Sequence, residues 1–211
     1  MDAKTQQREP TLLEREFARL GAGYGAWRLP FLSAFLTGLL AHGFAFANKL
    51  LIPDELGSLF SKGATVESGR WGLELLRLVL PDISMSWLYG LLSLLALAVT
   101  ACLTVRLFQI RSKPMQCLLP AVMVSVPSVT ALFGYMFTSF PFALALLLAV
   151  LSVCAGSRGG RNAWLAGCLL LVLSLSIYQA YIAVAASFFL LLMIRRLLMD
   201  EDAVGDVLRF G

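Results

Sequence analysis

Charged residues are scarce in this sequence: Asp, Glu, Lys and Arg make up 14% of 211 residues, whereas hydrophobic residues make up 59%. This balance, with a mean hydropathy of +0.80, excludes an ordinary soluble domain. Several apolar runs reach the roughly 20 residues that a helix needs to cross a bilayer. The short alternating segments of a membrane β-barrel are missing. We therefore predict an all-α, polytopic helical membrane protein.

Histidine and cysteine are also rare. The single histidine, His42, lies inside the first apolar run, where an ionisable residue is either functional or a hydrogen-bonded core residue. We favour the core interpretation. The cysteines lack C-x-x-C spacing and lie in or beside apolar runs, which favours packing over disulfide or metal roles. They are Cys102, Cys117, Cys154 and Cys168.

The distribution of positive charge predicts the topology. Lys and Arg cluster in the first 28 residues and again at 106–113, 158–161 and 195–196. The positive-inside rule places these segments in the cytoplasm, and we expect no nucleic-acid partner. An even number of crossings must then separate the last two clusters. We therefore divide the long apolar run 163–198 at 177–181, with a single long tilted helix as the alternative.

Six transmembrane helices follow from these divisions. A cytoplasmic N-terminal amphipathic segment, 1–30, contains a predicted interfacial helix over 11–27, and a cytoplasmic tail follows at 199–211. The third span contains Pro120 and Pro127, which predict a kink, and we expect a tight external turn at 138–141. The transmembrane domain is 31–198, with an external loop at 53–85 and spans at about 31–52, 86–108, 115–137, 139–155, 163–178 and 180–198.

The external loop concentrates ionisable side chains where water meets lipid. Asp54 and Glu55 follow the first span directly, and Lys62 and Arg70 come later in the loop. The helical spacing of its apolar residues predicts two short interfacial helices joined by a turn at 63–69. These apolar residues are Leu56, Leu59 and Phe60 in the first helix and Leu75, Leu76 and Val79 in the second.

This placement suits chemistry on a lipid-linked substrate. A carboxylate at the membrane boundary loses part of its hydration, which makes it a better general base. The planar fork of an Arg binds a phosphate through two hydrogen bonds. The pair Asp54 and Glu55 is also the one candidate metal site, for a divalent cation such as Mg²⁺ or Mn²⁺. The alternative is a solvated loop in which Arg70 and Trp71 anchor the chain at the interface.

Four short motifs occur in an order that resembles a known family. They are Phe46-Ala47-Asn48-Lys49, Asp54-Glu55, Ser68-Gly69-Arg70-Trp71-Gly72 and Ser176-Ile177-Tyr178-Gln179-Ala180-Tyr181. This order resembles the N-terminal part of the Gtr-type (type II) O-antigen glucosyltransferases of bacteria and their phages. Those are integral membrane enzymes similar to the GT-C glycosyltransferases. The resemblance covers about 31–198.

The resemblance implies roles for individual residues. Asp54 becomes the catalytic carboxylate, Glu55 its acidic companion, and Arg70 a residue near the lipid phosphate. We add Lys62, Trp71, Tyr178 and Gln179 as further candidates for substrate binding.

The resemblance also implies a reaction and its partners. A hexose, in most cases glucose, moves from an undecaprenyl-phosphate carrier to a surface polysaccharide such as the O-antigen of lipopolysaccharide. The implied location is the periplasmic face of the bacterial inner membrane. Family members are about twice as long, so we expect this chain to be an N-terminal part. The alternatives are a non-enzymatic flippase or transporter of lipid-linked sugars and an inactive truncated remnant.

Overall fold

The described residues of the computed structural model, 12–48, 69–80 and 85–199, form eight α-helices and no strand. The prediction of an all-α chain is therefore confirmed. Expectations for 1–11, 49–68, 81–84 and 200–211 lie outside the described residues. The helices are α1 (Leu12–Ala47), α2 (Trp71–Arg77), α3 (Ser86–Leu107), α4 (Lys113–Ser125), α5 (Pro127–Gly134), α6 (Met136–Gly156), α7 (Arg161–Ile177) and α8 (Tyr181–Met199).

Several of these helices are long and apolar enough to cross a membrane, which confirms a polytopic helical membrane protein. Four meet this condition in the described residues: Trp27–Ala47 within α1, α3, α6, and Tyr181–Leu198 within α8. The bent pair α4 and α5 raises the number to five when it counts as one span. The predicted count of six is too high by this measure. The reason is α7, whose 17 residues give a length of about 25 Å, below the roughly 30 Å of a hydrocarbon core.

The first helix is longer than predicted and ends earlier. The expected interfacial helix over 11–27 and the expected span over 31–52 form one continuous helix of 36 residues with Pro30 inside it. At its end, the Asn48 backbone N–H and side-chain amide both donate to the Phe44 carbonyl, each at 2.9 Å.

The predicted kink of the third span is present. The chain bends by 43° between α4 and α5, and Pro127 is the first residue of α5. Val126 is extended (φ −64°, ψ 150°), as the clash with a following proline ring requires. Proline therefore determines where this span breaks.

The expected tight turn at 138–141 is wrong. The break occurs at Tyr135, between α5 and α6, and Pro141 lies inside α6. Ser139 is fully buried, donates to the Met136 carbonyl at 2.8 Å and lies 3.0 Å from the Ser93 hydroxyl of α3. Ser139 therefore serves helix packing, because a Ser in an apolar helix can satisfy its hydroxyl within the bundle.

The long apolar run 163–198 is divided into two helices. Helix α7 ends at Ile177 and α8 begins at Tyr181, so the break lies at 178–180, where the sequence places it. The alternative of a single long helix does not hold.

The packing centres on α3 and α6, with α1 and α4 against α3, and α7 and α8 against α6. Small residues allow close approach: a Cβ at Gly167 of α7 would lie 2.9 Å from the Ser152 carbonyl oxygen of α6. His42 is buried, its Nε2–H donates to the Val124 carbonyl at 2.9 Å, and its ring lies 4.7 Å from that of Phe133. The core interpretation of this histidine is confirmed.

Positive charge collects at one end of this bundle. Arg195 donates to Gln109 Oε1 at 2.7 Å and Arg196 to the Ser157 carbonyl at 3.2 Å, while the Arg106 guanidinium lies 5.2 Å from the Trp27 ring. These contacts join the C-terminal ends of α3, α6 and α8. The start of α6, the end of α7 and the start of α8 therefore lie at the opposite end.

We predict that Gly167→Leu lowers the melting temperature of the detergent-solubilised protein. The new side chain meets backbone atoms of Ser152 and Gly156, which cannot rotate away, and we expect a cost of about 1–3 kcal/mol. Ala166→Leu is the matched control, since Ala166 is the exposed neighbour on the same helix. Equal melting temperatures for the two variants would contradict this close packing of α6 and α7.

Candidate functional site

Helix α2 packs against the end of α7 and brings two distant motifs together. Gly72 lies so close to α7 that a Cβ there would contact Ser176 Oγ and lie 3.0 Å from Ile177 Cγ1. Only a residue without a side chain allows this approach. The segment Gly69-Arg70-Trp71-Gly72 therefore lies beside Ser176–Tyr181, although more than a hundred residues separate them in the sequence.

Helix α2 has one buried and one exposed apolar side. Leu73 is buried in a cluster with Ala145 and Ile177. The exposed apolar residues of α2 and the turn after it are Trp71, Leu75, Leu78 and Val79. An apolar outer face fits the second predicted interfacial helix; the first lies outside the described residues.

Arg70 lies over an aromatic cluster. Its guanidinium carbon is 5.6 Å from the centroid of the Tyr178 ring, within the range of a cation–π contact. Two other rings of this cluster contact Tyr178. Phe142 stacks on it with the ring centroids 4.5 Å apart, and Tyr181 meets it edge-on with the centroids 5.1 Å apart. Helices α6, α7 and α8 together therefore fix the ring that holds Arg70.

Gln179 lies against the turn that precedes Arg70. Gly69 has a left-handed backbone (φ +74°), and a Cβ there would lie 2.8 Å from Gln179 Nε2. The conformation and the close approach both favour glycine. Thus Tyr178 and Gln179 each lie beside the 69–72 segment.

The other predicted site residues fall into two groups. Trp71 is 48% exposed, as an interfacial anchor would be. Asp54, Glu55 and Lys62 lie outside the described residues. Among the described residues, no group of three or more His, Cys, Asp or Glu side chains could hold a metal ion.

The charges around Arg70 favour an anion. Glu74 pairs with Arg77 at 3.2 Å on α2. Within the described part of the chain, no carboxylate forms an ion pair with Arg70. The guanidinium therefore has donors for a phosphate or a carboxylate, which it binds in a forked geometry.

Sequence reasoning missed Phe142 as part of this site. The sequence predicts Phe142 only as a residue of the fourth span, beside the expected turn at 138–141, whereas its ring stacks on Tyr178. The sequence signal for such an aromatic stack is an aromatic residue in the first two turns of one span together with an interfacial tyrosine predicted at the same end of another span.

An apolar cavity of about 450 Å³ is lined by residues of α6, α7 and α8. Ile182, the residue after Tyr181, is at one end, and Trp164 and Met193 lie toward the positively charged end. Among the described residues that line it, Ser152 carries the one hydroxyl, which donates to the Ala149 carbonyl at 2.7 Å. The cavity is suited to an apolar group.

One comparison with known proteins gives a match. The family model described as glucosyl transferase GtrII matches residues 43–210, most of the chain, including α2 and the end of α7. Comparison with curated proteins and with solved structures gives no match.

We predict that Gly72→Val detaches α2 from α7. The added methyl groups meet Ser176 and Ile177, including Ser176 backbone carbon, so trypsin should cleave after Arg70 and Arg77 faster than in the unmodified protein. The measurement is the cleavage rate at these two sites by mass spectrometry. Gly134→Val is the control, because a Cβ at Gly134 has nothing within 4 Å. Unchanged cleavage in Gly72→Val would contradict the docking of α2.

Proposed function

The chain belongs to the GtrII glucosyl transferase family, and from this we propose that it transfers glucose from a polyprenyl-phosphate carrier to a surface polysaccharide such as O-antigen. The observation that carries the proposal is Arg70 held over Tyr178, a positive group on a rigid base at the end of the bundle. A sugar linked to a lipid through phosphate presents its anion at this level of the membrane.

Arg70 binds the carrier phosphate in this proposal. Its contact with Tyr178 orients the guanidinium and leaves its N–H groups for the phosphate oxygens. Lys62 and Gln179 add donors, and the exposed Trp71 anchors α2 at the interface. Charge on the leaving phosphate is stabilised where it develops, which is the main electrostatic contribution expected in such a reaction.

The lipid part of the donor is accommodated by the cavity lined by α6, α7 and α8. Its lining includes Ile182, which follows Tyr181 of the aromatic cluster in the sequence. A carrier with its phosphate at Arg70 extends its first isoprenoid units toward Ala186 and Phe189, which line the cavity.

The orientation of the site in the membrane follows from charge. The Arg70 site lies at the end of the bundle opposite Arg106, Arg195 and Arg196. The positive-inside rule assigns the cations to the cytoplasm. We infer a bacterial inner-membrane protein whose site faces the periplasm, where the polysaccharide acceptor is available.

Asp54 serves as the general base. It takes the proton of an acceptor hydroxyl while that oxygen bonds to the anomeric carbon of glucose. The bond from that carbon to the phosphate oxygen breaks, and polyprenyl phosphate leaves with the electron pair. A divalent cation, Mg²⁺ or Mn²⁺, held by Asp54 and Glu55 would screen the phosphate charge.

We predict that Arg70→Gln lowers kcat/KM for labelled undecaprenyl-phosphate glucose by roughly ten- to a hundredfold. Hydrogen bonds to a charged group contribute about 1.5–3 kcal/mol. The kcat/KM of Arg70→Lys should lie between those of the unmodified protein and Arg70→Gln, because Lys keeps the charge but lacks the planar fork. The measurement is glucose transfer to polysaccharide in membranes that contain the full chain.

Arg77→Gln is the matched control, since it removes the same charge from the same helix. Arg77 pairs with Glu74 instead of lying over Tyr178. Equal losses in the two Gln variants would contradict a specific role for Arg70.

We also predict that Asp54→Asn abolishes surface glucosylation at normal protein levels, because an amide cannot accept the proton. Asp82→Asn, at another carboxylate of the predicted external loop, is the control and should retain transfer. Unchanged glucosylation in Asp54→Asn would eliminate its catalytic role. Movement of labelled lipid-linked glucose across the bilayer without transfer would instead support a flippase.

A further inference from the structure

A polar cavity lies at the end of the bundle opposite Arg70, and the proposed transfer does not use it. Its volume is about 400 Å³, and it is formed by the C-terminal end of α3, the linker after it and the start of α4. Two arginines and two glutamines are among the residues that line it. The lining residues are Val105, Arg106, Gln109, Ile110, Arg111 and Gln116.

The described part of the chain that forms this cavity and its neighbouring loops carries positive charge and no acidic residue. Residues 83–199 contain no Asp or Glu. An anion near the cavity must therefore come from elsewhere in the chain or from outside it. The same stretch contains seven cations: Arg106, Arg111, Lys113, Arg158, Arg161, Arg195 and Arg196.

Gln109 has a left-handed backbone conformation at the end of α3, and its side chain forms a hydrogen bond there. The N–H of Gln109 donates to the Arg106 carbonyl and that of Ile110 to the Val105 carbonyl, each at 3.0 Å. This helix-ending pattern normally places glycine at the left-handed position, yet Gln109 occupies it with φ +52°. Its Oε1 accepts a hydrogen bond from Arg195 at 2.7 Å, which holds a third guanidinium at the rim.

Two further contacts fix the cavity wall and its level in the membrane. Gln116 Nε2 donates to the Ile110 carbonyl at 2.8 Å, so the linker is tied to α4. The Arg106 guanidinium lies 5.2 Å from the ring of Trp27, where the apolar span Trp27–Ala47 begins. An indole at the start of a span marks the boundary between hydrocarbon and headgroups.

We propose that this cavity binds the phosphate headgroup of an anionic phospholipid. Arg106 and Arg111 contact the phosphate, Arg195 closes the rim, and the apolar Val105 and Ile110 face the first carbons of the lipid. Basic pockets between helices at this level favour such headgroups. The proposal is independent of the glucosyl transfer at the other end of the bundle.

Trp27 provides a local probe for the test. The full chain, with Trp71, Trp87 and Trp164 replaced by Phe, is placed in phosphatidylcholine nanodiscs. Quenching of Trp27 is measured with brominated phosphatidylglycerol and with brominated phosphatidylcholine. We expect preferential quenching by phosphatidylglycerol, and in Arg106→Gln/Arg111→Gln a loss of that preference of roughly fivefold for each guanidinium removed.

The matched control is Arg158→Gln/Arg161→Gln, which removes two cations near the same end but away from the cavity. It should keep the preference. Equal losses in both double variants would mean that the general positive field attracts the lipid, and would overturn the proposal. If the double variant does not fold, Arg111→Gln alone, at an exposed side chain, tests the same loss of the quenching preference for phosphatidylglycerol.

Two other results would also overturn the proposal. Equal quenching by the two lipids in the otherwise unmodified protein would show that the cavity does not select an anion. A preference that emerges only in Asp200→Asn/Glu201→Gln/Asp202→Asn would show that the acidic tail of the chain, instead of a lipid, neutralises these cations.

Discussion

Helix α7 is held by backbone contacts at both ends, and the position of the site depends on this constraint. Near the positively charged end, Gly167 allows α7 to touch α6, and at the other end Gly72 allows α2 to touch α7. Between them, the Ser174 hydroxyl donates to the Ala145 carbonyl of α6 at 2.7 Å. A helix fixed in this way cannot slide or rotate freely, so Tyr178 at its end is a stable base for Arg70.

The break between α7 and α8 is compatible with a membrane because its backbone groups are largely satisfied locally. Tyr178 N–H donates to the Ser174 carbonyl at 3.0 Å, and Ile182 N–H donates to the Gln179 carbonyl at 3.2 Å. Unsatisfied groups at this depth would cost several kcal/mol each. The turn therefore exposes side chains, such as those of Tyr178 and Gln179, without exposing a broken backbone.

Apolar length, charge and proline position allowed much of this arrangement to be predicted. The break near Tyr178 followed from charge on both sides of a long run, and the kink at Pro127 followed from the geometry of proline. The expected turn at 138–141 is wrong because Ser139 and Pro141 belong to residue types that occur both in turns and inside membrane helices. They mark turns in water, but within a bundle a buried hydroxyl finds a partner on a neighbouring helix.

Pairing between distant segments was harder to predict than the segments themselves. Arg70, Tyr178 and Gln179 were all candidates, yet nothing in their sequence spacing specified that Arg70 lies over the ring or that Gly69 meets Gln179. These contacts depend on the path of α2, which a lack of side chain at Gly72 permits. Phe142 was missed for a related reason, since its role depends on a partner from another helix.

The shortness of α7 has a consequence for the depth of the site. Its 17 residues span about 25 Å, so a bilayer of roughly 30 Å must thin locally or leave the Tyr178 end below the surface. Local thinning produces a dip in the hydrocarbon layer at Arg70. In the transfer that we propose, water and a sugar acceptor approach a lipid-borne phosphate from above while its hydrocarbon chain stays in the membrane, so the hydrophobic mismatch itself reduces the distance between the two proposed substrates.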